Sequence, residues 1–233
     1  QASLSRGHWY LDLIQKEENN IVAQCQAAMW ANVYFFLKRK SPIPPEDILK
    51  QGVAVKLKVN VDFHERYGLK LIIEDIDSSF TMGQLEMQRQ AILKAIQERG
   101  LIRKNAETHL PVVVQRLAVI SSDRAAGYKD FIKHLEDNFY GYDIRIDLFE
   151  AAMQGQQVEN EISACLDKVE KTMSDYDAVA IIRGGGGRTD LAAFDNLNLA
   201  VRIARFPIPV LIGIGHEIDQ SVLDLVAYRS LKT

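Results

Sequence analysis

Two short stretches of this chain hold residues suited to acid–base or phosphate chemistry. One is Arg183 followed by four consecutive glycines, Gly184, Gly185, Gly186 and Gly187. The other is the run Gly215-His216-Glu217-Ile218-Asp219. A glycine run lets backbone N–H groups approach an anion because no Cβ intervenes. Arg183 adds a planar fork that matches two phosphate oxygens, and a helical pattern after the glycines adds an anion-favouring N-terminus. Gly187 is followed by Arg188-Thr189, so the run is not a Lys-Ser/Thr nucleotide loop, nor is it GxGxxG with a distal ribose-binding acid. His216 can exchange a proton near neutrality, and a nearby carboxylate such as Asp219 can orient its ring. Each stretch also has a plainer reading. Four glycines make a flexible turn, and Glu217 and Asp219 complement a helix dipole.

The elements around these residues must bring them together. Ala178–Ile182 and Pro209–Ile214 read as buried strands, with a helical pattern between them that ends near Arg205. A further helix is expected to start near Glu217. Upstream, Arg116–Ser121 reads as a strand followed by a helix to about Asn138. Asp143–Phe149 reads as another strand, followed by a helix to about Met173. Four strands separated by such helices predict right-handed crossovers and a parallel sheet. Ligands of such sheets bind beyond the carboxyl ends of the strands. Three such ends carry polar groups here: Ser121/Ser122 with Asp130 on the next helix, Arg183 with the glycines, and Gly215–Asp219. Asp130 alone would read as a solvated helix residue, and Asp224 as either a supporting acid or a surface charge.

The N-terminal third has a different rhythm. Residues 7–15 and 20–28 read as strands, 29–37 as helix or as strand running into helix, and Val53–Phe63 and 69–76 as strands. The order strand, strand, helix, strand, strand suits the later part of a five-stranded Greek-key barrel. Residues 1–80 are therefore expected to form a partial OB-fold that starts after its first strand. Residues 81–111 read as a connecting helix, closed at Gly100, and a polar loop. Residues 112–233 read as the α/β domain. The fold class expected is α/β, a parallel-sheet domain preceded by a partial OB-fold β-barrel.

Composition narrows the class further. Hydrophobic residues make up 47% and charged residues 25% of the 233, which excludes a disordered chain. The net charge of −3 gives no overall pull on a polyanion, so nucleic-acid binding must rest on local clusters such as Lys38-Arg39-Lys40, itself readable as a solvated helix end. Cys25 and Cys165 form no CxxC pattern, which excludes a disulfide framework and a cysteine zinc site. No apolar run is long enough for a membrane span, and a cytoplasmic setting is expected. His8, His64, His109 and His134 lack a partner pattern and read as structural or exposed. Trp9, Tyr10, Tyr34, Phe35 and Phe36 read as barrel core or as a base-stacking platform. Trp9 and Tyr10 cannot both face inward on one strand.

Taken together, the stretches RGHWYLDL, LAVISSDRAAGYKD, FEAAMQG, AIIRGGGGRTDL..F and GIGHEIDQSVLDLVA resemble the large subunit of exodeoxyribonuclease VII. Their order and spacing follow the family over nearly the whole chain. The resemblance implies a single-stranded-DNA-binding OB-fold followed by a nuclease domain that hydrolyses single-stranded DNA from either end to oligonucleotides. It implies Asp130, Arg183, His216 and Asp219 as the catalytic set, with Gly184–Gly187 binding phosphate. It implies no required cofactor, with Mg2+ assistance left open. The partners implied are single-stranded DNA and a small subunit that associates with long helices beyond Thr233. Gly187 and Thr189 depart from the family loop, which often has Ser and an acid there, and Tyr228 stands where an Asp is frequent. Two other functions fit the residues: a non-catalytic single-strand-binding scaffold, and a metal-dependent phosphohydrolase with Asp130, His216 and Asp219 as ligands.

Overall fold

The computed structural model describes residues 2–17, 20–41, 43–66, 68–139, 141–184, 188–214 and 220–231. Contacts divide the chain into two units, Gln1–Glu86 and Met87–Thr233.

The first unit holds β1 (Ala2–Ser5), β2 (His8–Glu17), β3 (Asn20–Met29), α1 (Ala31–Lys40), α2 (Pro45–Ile48), β4 (Leu57–His64) and β5 (Gly68–Ile76). They form one five-stranded sheet in the order β1-β2-β3-β5-β4, with β3 and β5 parallel and the other pairs antiparallel. This is the OB-fold arrangement, with its helix between the third and fourth strands and an open seam between the edge strands β1 and β4. Strand β1 was not anticipated from sequence. It is held by the two-residue turn Arg6–Gly7, whose φ values of 51° and 82° are the positive pair that a type I′ hairpin requires. Alternate residues Leu11, Ala27, Met29 and Ile73 point inward onto Tyr34, Leu37 and Leu49. The strand expected from Val53 starts only at Leu57. Its lead-in is bonded differently: the Asp77 amide still donates to the Lys56 carbonyl beside the β4–β5 ladder, but the Ala54 carbonyl accepts from Thr81 Oγ1.

Helix α3 (Ser78–Glu98) follows, capped at its start by the Asp77 carboxylate, which accepts from the Phe80 amide. It stops where expected. Gly100 has φ 63°, its amide bonds Gln97 O, and the Leu101 amide bonds Ile96 O, which satisfies the last carbonyls in a Schellman pattern.

The second unit contains β6 (Arg116–Ser121), α4 (Ala126–Glu136), β7 (Arg145–Glu150), α5 (Val158–Lys171), β8 (Ala178–Ile182), α6 (Arg188–Leu191), α7 (Leu197–Ala204), β9 (Val210–Gly213), α8 (Val222–Val226) and β10 (Arg229–Ser230). Its strands form an all-parallel sheet in the order β10-β9-β8-β6-β7. One face buries Ile120, Ile162, Leu166, Ile181, Phe194, Leu199, Ile212 and Leu223, while the other packs Val119, Ala180 and Ile182 near Tyr128 and Phe131 of α4. The two-residue strand β10 is a fifth strand beyond the four expected. The single helix expected to run to Arg205 is instead broken before α7. Asn196 accepts from the Leu199 amide and so starts α7 as a new helix, while Asp195 accepts from the Val222 amide at the start of α8. Among the described residues no helix is long and apolar enough to cross a membrane.

Candidate active site

The order of the parallel sheet locates the site. The chain runs from β6 outward to β7, then crosses back over β6 to β8, so the winding direction reverses between β6 and β8. In doubly wound sheets the ligand crevice opens at this switch point, outside the carboxyl ends of the two strands. Those ends are Ser121 and Ile182. The buried Ser121 hydroxyl donates to the Ile182 carbonyl at 2.6 Å and ties the two strand ends together. The Arg183 amide bonds Gly213 O of β9 at 2.9 Å, which fixes where the chain leaves the sheet.

At this point the N-terminus of α4 lies directly on the backbone of Arg183 and Gly184. A Cβ added at Gly184 would stand 2.3 Å from Gly127 N and 2.5 Å from Ala126 N. A Cβ added at Gly127 would stand 2.5 Å from Arg183 O. Neither glycine has a positive φ, so what each supplies is close approach and not an unusual backbone shape. Asp130 sits one helical turn beyond Gly127 on α4 and is exposed. The topology thus places Arg183, Gly184 and the helix bearing Asp130 at one sheet edge.

Arg183 is 3% exposed, and its guanidinium lies 3.7 Å from the buried Asp190 carboxylate and 5.9 Å from the centre of the Phe194 ring. Burial pushes the guanidinium pKa below its ordinary value, and the charge of Asp190 opposes that shift. Sequence reading missed Asp190 and Gly127 as site residues. The only available signals were an acid in the first turn after the glycine loop and a small residue in the first turn after β6. Asp224 is resolved as a cap: it accepts from the Ser221 amide and hydroxyl and from the Ser230 hydroxyl, all within 2.7 Å. Gly185, Gly186, Gly187, His216, Glu217 and Asp219 lie outside the described residues. Among the described residues no three His, Cys, Asp or Glu side chains are grouped to hold a metal ion.

The first unit offers a separate surface. Trp9 faces the core while Tyr10, next along β2, is exposed, as strand alternation requires. Tyr10 lines a groove of about 320 Å³ with Ser3, Asp12, Gln26 and Lys70, and the Lys70 ammonium stands 4.9 Å from the Tyr10 ring centre. OB-folds bind oligonucleotides on this strand 2–3 face. The remaining aromatics split: Tyr34 is buried, whereas Phe35 and Phe36 are exposed.

Fold and strand-end chemistry together define a class, an OB-fold unit joined to a doubly wound parallel α/β unit with polar groups at its switch point. Comparison with known proteins narrows the class. A family model described as "OB-fold nucleic acid binding domain" matches residues 1–77, and one described as "Exonuclease VII, large subunit" matches residues 101–233. The chain is 32% identical to the exodeoxyribonuclease 7 large subunit of Deinococcus radiodurans over 97% of its length and 56% of that protein. It is 31% identical to the namesake from Campylobacter hominis over 97% of its length and 54% of that protein, and 31% identical to that of Hahella chejuensis over 96% and 47%. The chain belongs to the exonuclease VII large-subunit family. It spans about half the length of the curated relatives it matches.

Proposed function

We propose that this chain carries the DNA-binding and catalytic parts of an exonuclease that hydrolyses phosphodiester bonds of single-stranded DNA to oligonucleotides, working in the cytoplasm as the large subunit of a two-subunit enzyme with a small-subunit partner. One observation carries the reading. Within the segment that matches the family, the switch point of the sheet holds Arg183 and Gly184 locked backbone to backbone against the start of α4. In the proposed reaction a water oxygen attacks phosphorus and the bond from phosphorus to the sugar oxygen breaks. His216 takes the water proton or delivers one to the leaving oxygen, with Asp219 orienting its ring and Asp130 as the second acid–base group. Arg183 and the amides of Gly184–Gly187 stabilise the charge gathering on the phosphoryl oxygens. A buried guanidinium is more effective there than a solvated one, because the low local dielectric strengthens its field. In this proposal these donors supply the stabilisation without a required divalent metal. The groove beside Tyr10 and Lys70 holds the single strand.

The test is cleavage of end-labelled strands by the complete two-subunit enzyme in excess chelator. Single strands are expected to shorten to oligonucleotides while blunt duplex of the same sequence stays intact. Loss of all cleavage on chelation, restored by Mg2+, would replace this mechanism with a metal-dependent one.

A further inference from the structure

We infer that the exposed face of α1 is a second contact for single-stranded nucleic acid, where bases stack and a phosphate is paired outside the sheet groove; this rests on the nucleic-acid reading above. Tyr34 and Leu37 turn into the core, which leaves Phe35 and Phe36 at 55% and 53% exposure. Two adjacent half-solvated phenylalanines on a short helix form a patch, unlike a single scattered apolar residue. At helical spacing Asn32, Phe35, Phe36 and Arg39 share one exposed face, with Arg39 one turn beyond Phe35. The Lys40 ammonium lies 5.6 Å from the Phe36 ring centre. Nearby acids engage the other cations of the run: Glu46 pairs with Lys38, and Asp75 stands 4.0 Å from Lys40. Arg39 has no side-chain partner among the described residues.

This face is continuous with the β1–β2 turn. A Cβ at Gly7 would stand 3.2 Å from Ala31 Cβ and 3.7 Å from Phe35 Cε2, so the Phe35 ring lies against the Arg6–Gly7 turn. OB-folds use this loop to contact oligonucleotides, and Arg6 is exposed on it. On the far side of the same hairpin, Ser3 and Tyr10 pair across β1 and β2 and line the sheet groove. A strand leaving that groove crosses Arg6 and reaches Phe35, Phe36 and Arg39. Aromatic faces interleaved with cations are the chemistry that binds unstacked bases and their phosphates. A purely apolar protein partner would not call for the cations, nor an acidic peptide for the phenylalanines.

The experiment is anisotropy on the complete two-subunit enzyme, with labelled, cleavage-resistant phosphorothioate oligo-dT strands of about 6 and about 20 nucleotides, the first within and the second beyond the range of a single OB-fold's site size. Phe35→Ala with Phe36→Ala is expected to weaken binding of the longer strand by roughly tenfold or more and to leave the shorter strand and the melting temperature unchanged. Arg39→Ala is expected to lower the salt slope for the longer strand by about one. Wild-type affinity for the longer strand in the phenylalanine variant, or an equal loss on both strands, would overturn the inference. So would DNA binding that is unaffected while pelleting with phosphatidylcholine–phosphatidylserine vesicles is lost. Tyr10→Ala separates the two levels of argument. If it weakens both strands while the α1 variants do nothing, only this inference fails. If the wild-type enzyme binds neither strand, the nucleic-acid reading itself fails.

Discussion

Gly127 and Gly184 show why single residues at this sheet edge matter. At both, an added methyl group meets backbone atoms at 2.5 Å or less, and no side-chain rotation can relieve that contact. The start of α4 would have to move by about an ångström, and a misplacement of that size costs roughly 10² in rate. Gly127→Ala and Gly184→Ala are therefore each expected to cut single-turnover cleavage by about that factor and to lower the melting temperature. Gly83→Ala supplies the contrast. Gly83 lies in α3 with nothing near its Cβ position, so there alanine should leave cleavage unchanged and stabilise by about 0.4–1 kcal/mol. Near-wild-type cleavage in both variants would show that the close approach of α4 to Arg183 and Gly184 plays no part in cleavage. Arg183 stood out in the sequence because strand ends are legible, whereas Asp130, which alone reads as a solvated helix residue, was singled out by the family resemblance. Asp190 reads as an ordinary first-turn acid until its burial 3.7 Å from Arg183 is seen, and Gly127 is distinguished only by its contact with a distant segment, Arg183 and Gly184, that local pattern does not encode.

Among the elements, β6 and β8 were readable to the residue, since a buried parallel strand shows as an unbroken β-branched run. The break between α6 and α7 was hidden because the apolar spacing continues across it, while Asp195 and Asn196 spend their side chains on backbone amides. Side-chain bonding to backbone amides also starts the sheet, here between distant segments. The Asp177 carboxylate accepts from the amides of Gln115 and Arg116 at 2.8 and 2.9 Å and pairs with the Arg116 guanidinium, while the Asp177 amide donates to Arg116 O. These donors hold the Asp177 carboxyl below its ordinary 3.8, with the Gln115 amide the largest cause. A depressed carboxyl stabilises the fold fully above its unfolded value and loses that contribution as pH falls through the folded one. Asp177→Asn is expected to cost roughly 1 kcal/mol at neutral pH, a modest value for charge-assisted bonds at a partly solvated site. The gap from wild type should close below about pH 3.8. Melting curves from neutral to acid pH check this, and a constant gap would contradict it.

At the scale of the molecule, the chain joins an OB-fold sheet to a doubly wound parallel sheet, and in the proposed function the first holds a strand and the second cuts it. The change of rhythm, from mostly strand spacing in residues 1–80 to alternating strand and helix after residue 112, is what pointed to two kinds of sheet. Strand β1 escaped because its four residues carry almost no pattern; the Arg6–Gly7 turn and pairing with β2 define it. In the proposed mechanism the second unit cuts by acid–base chemistry centred on His216, while strand binding belongs to the first. The decisive experiment measures, on the same preparation of the complete two-subunit enzyme, single-turnover cleavage of one labelled single strand and equilibrium affinity for its cleavage-resistant phosphorothioate counterpart, wild type against His216→Ala. The expected result is a fall in cleavage of about 10²–10⁴, the usual share of a general acid or base, with affinity unchanged. Cleavage near the wild-type rate, or a loss that merely follows a loss of binding, would contradict it.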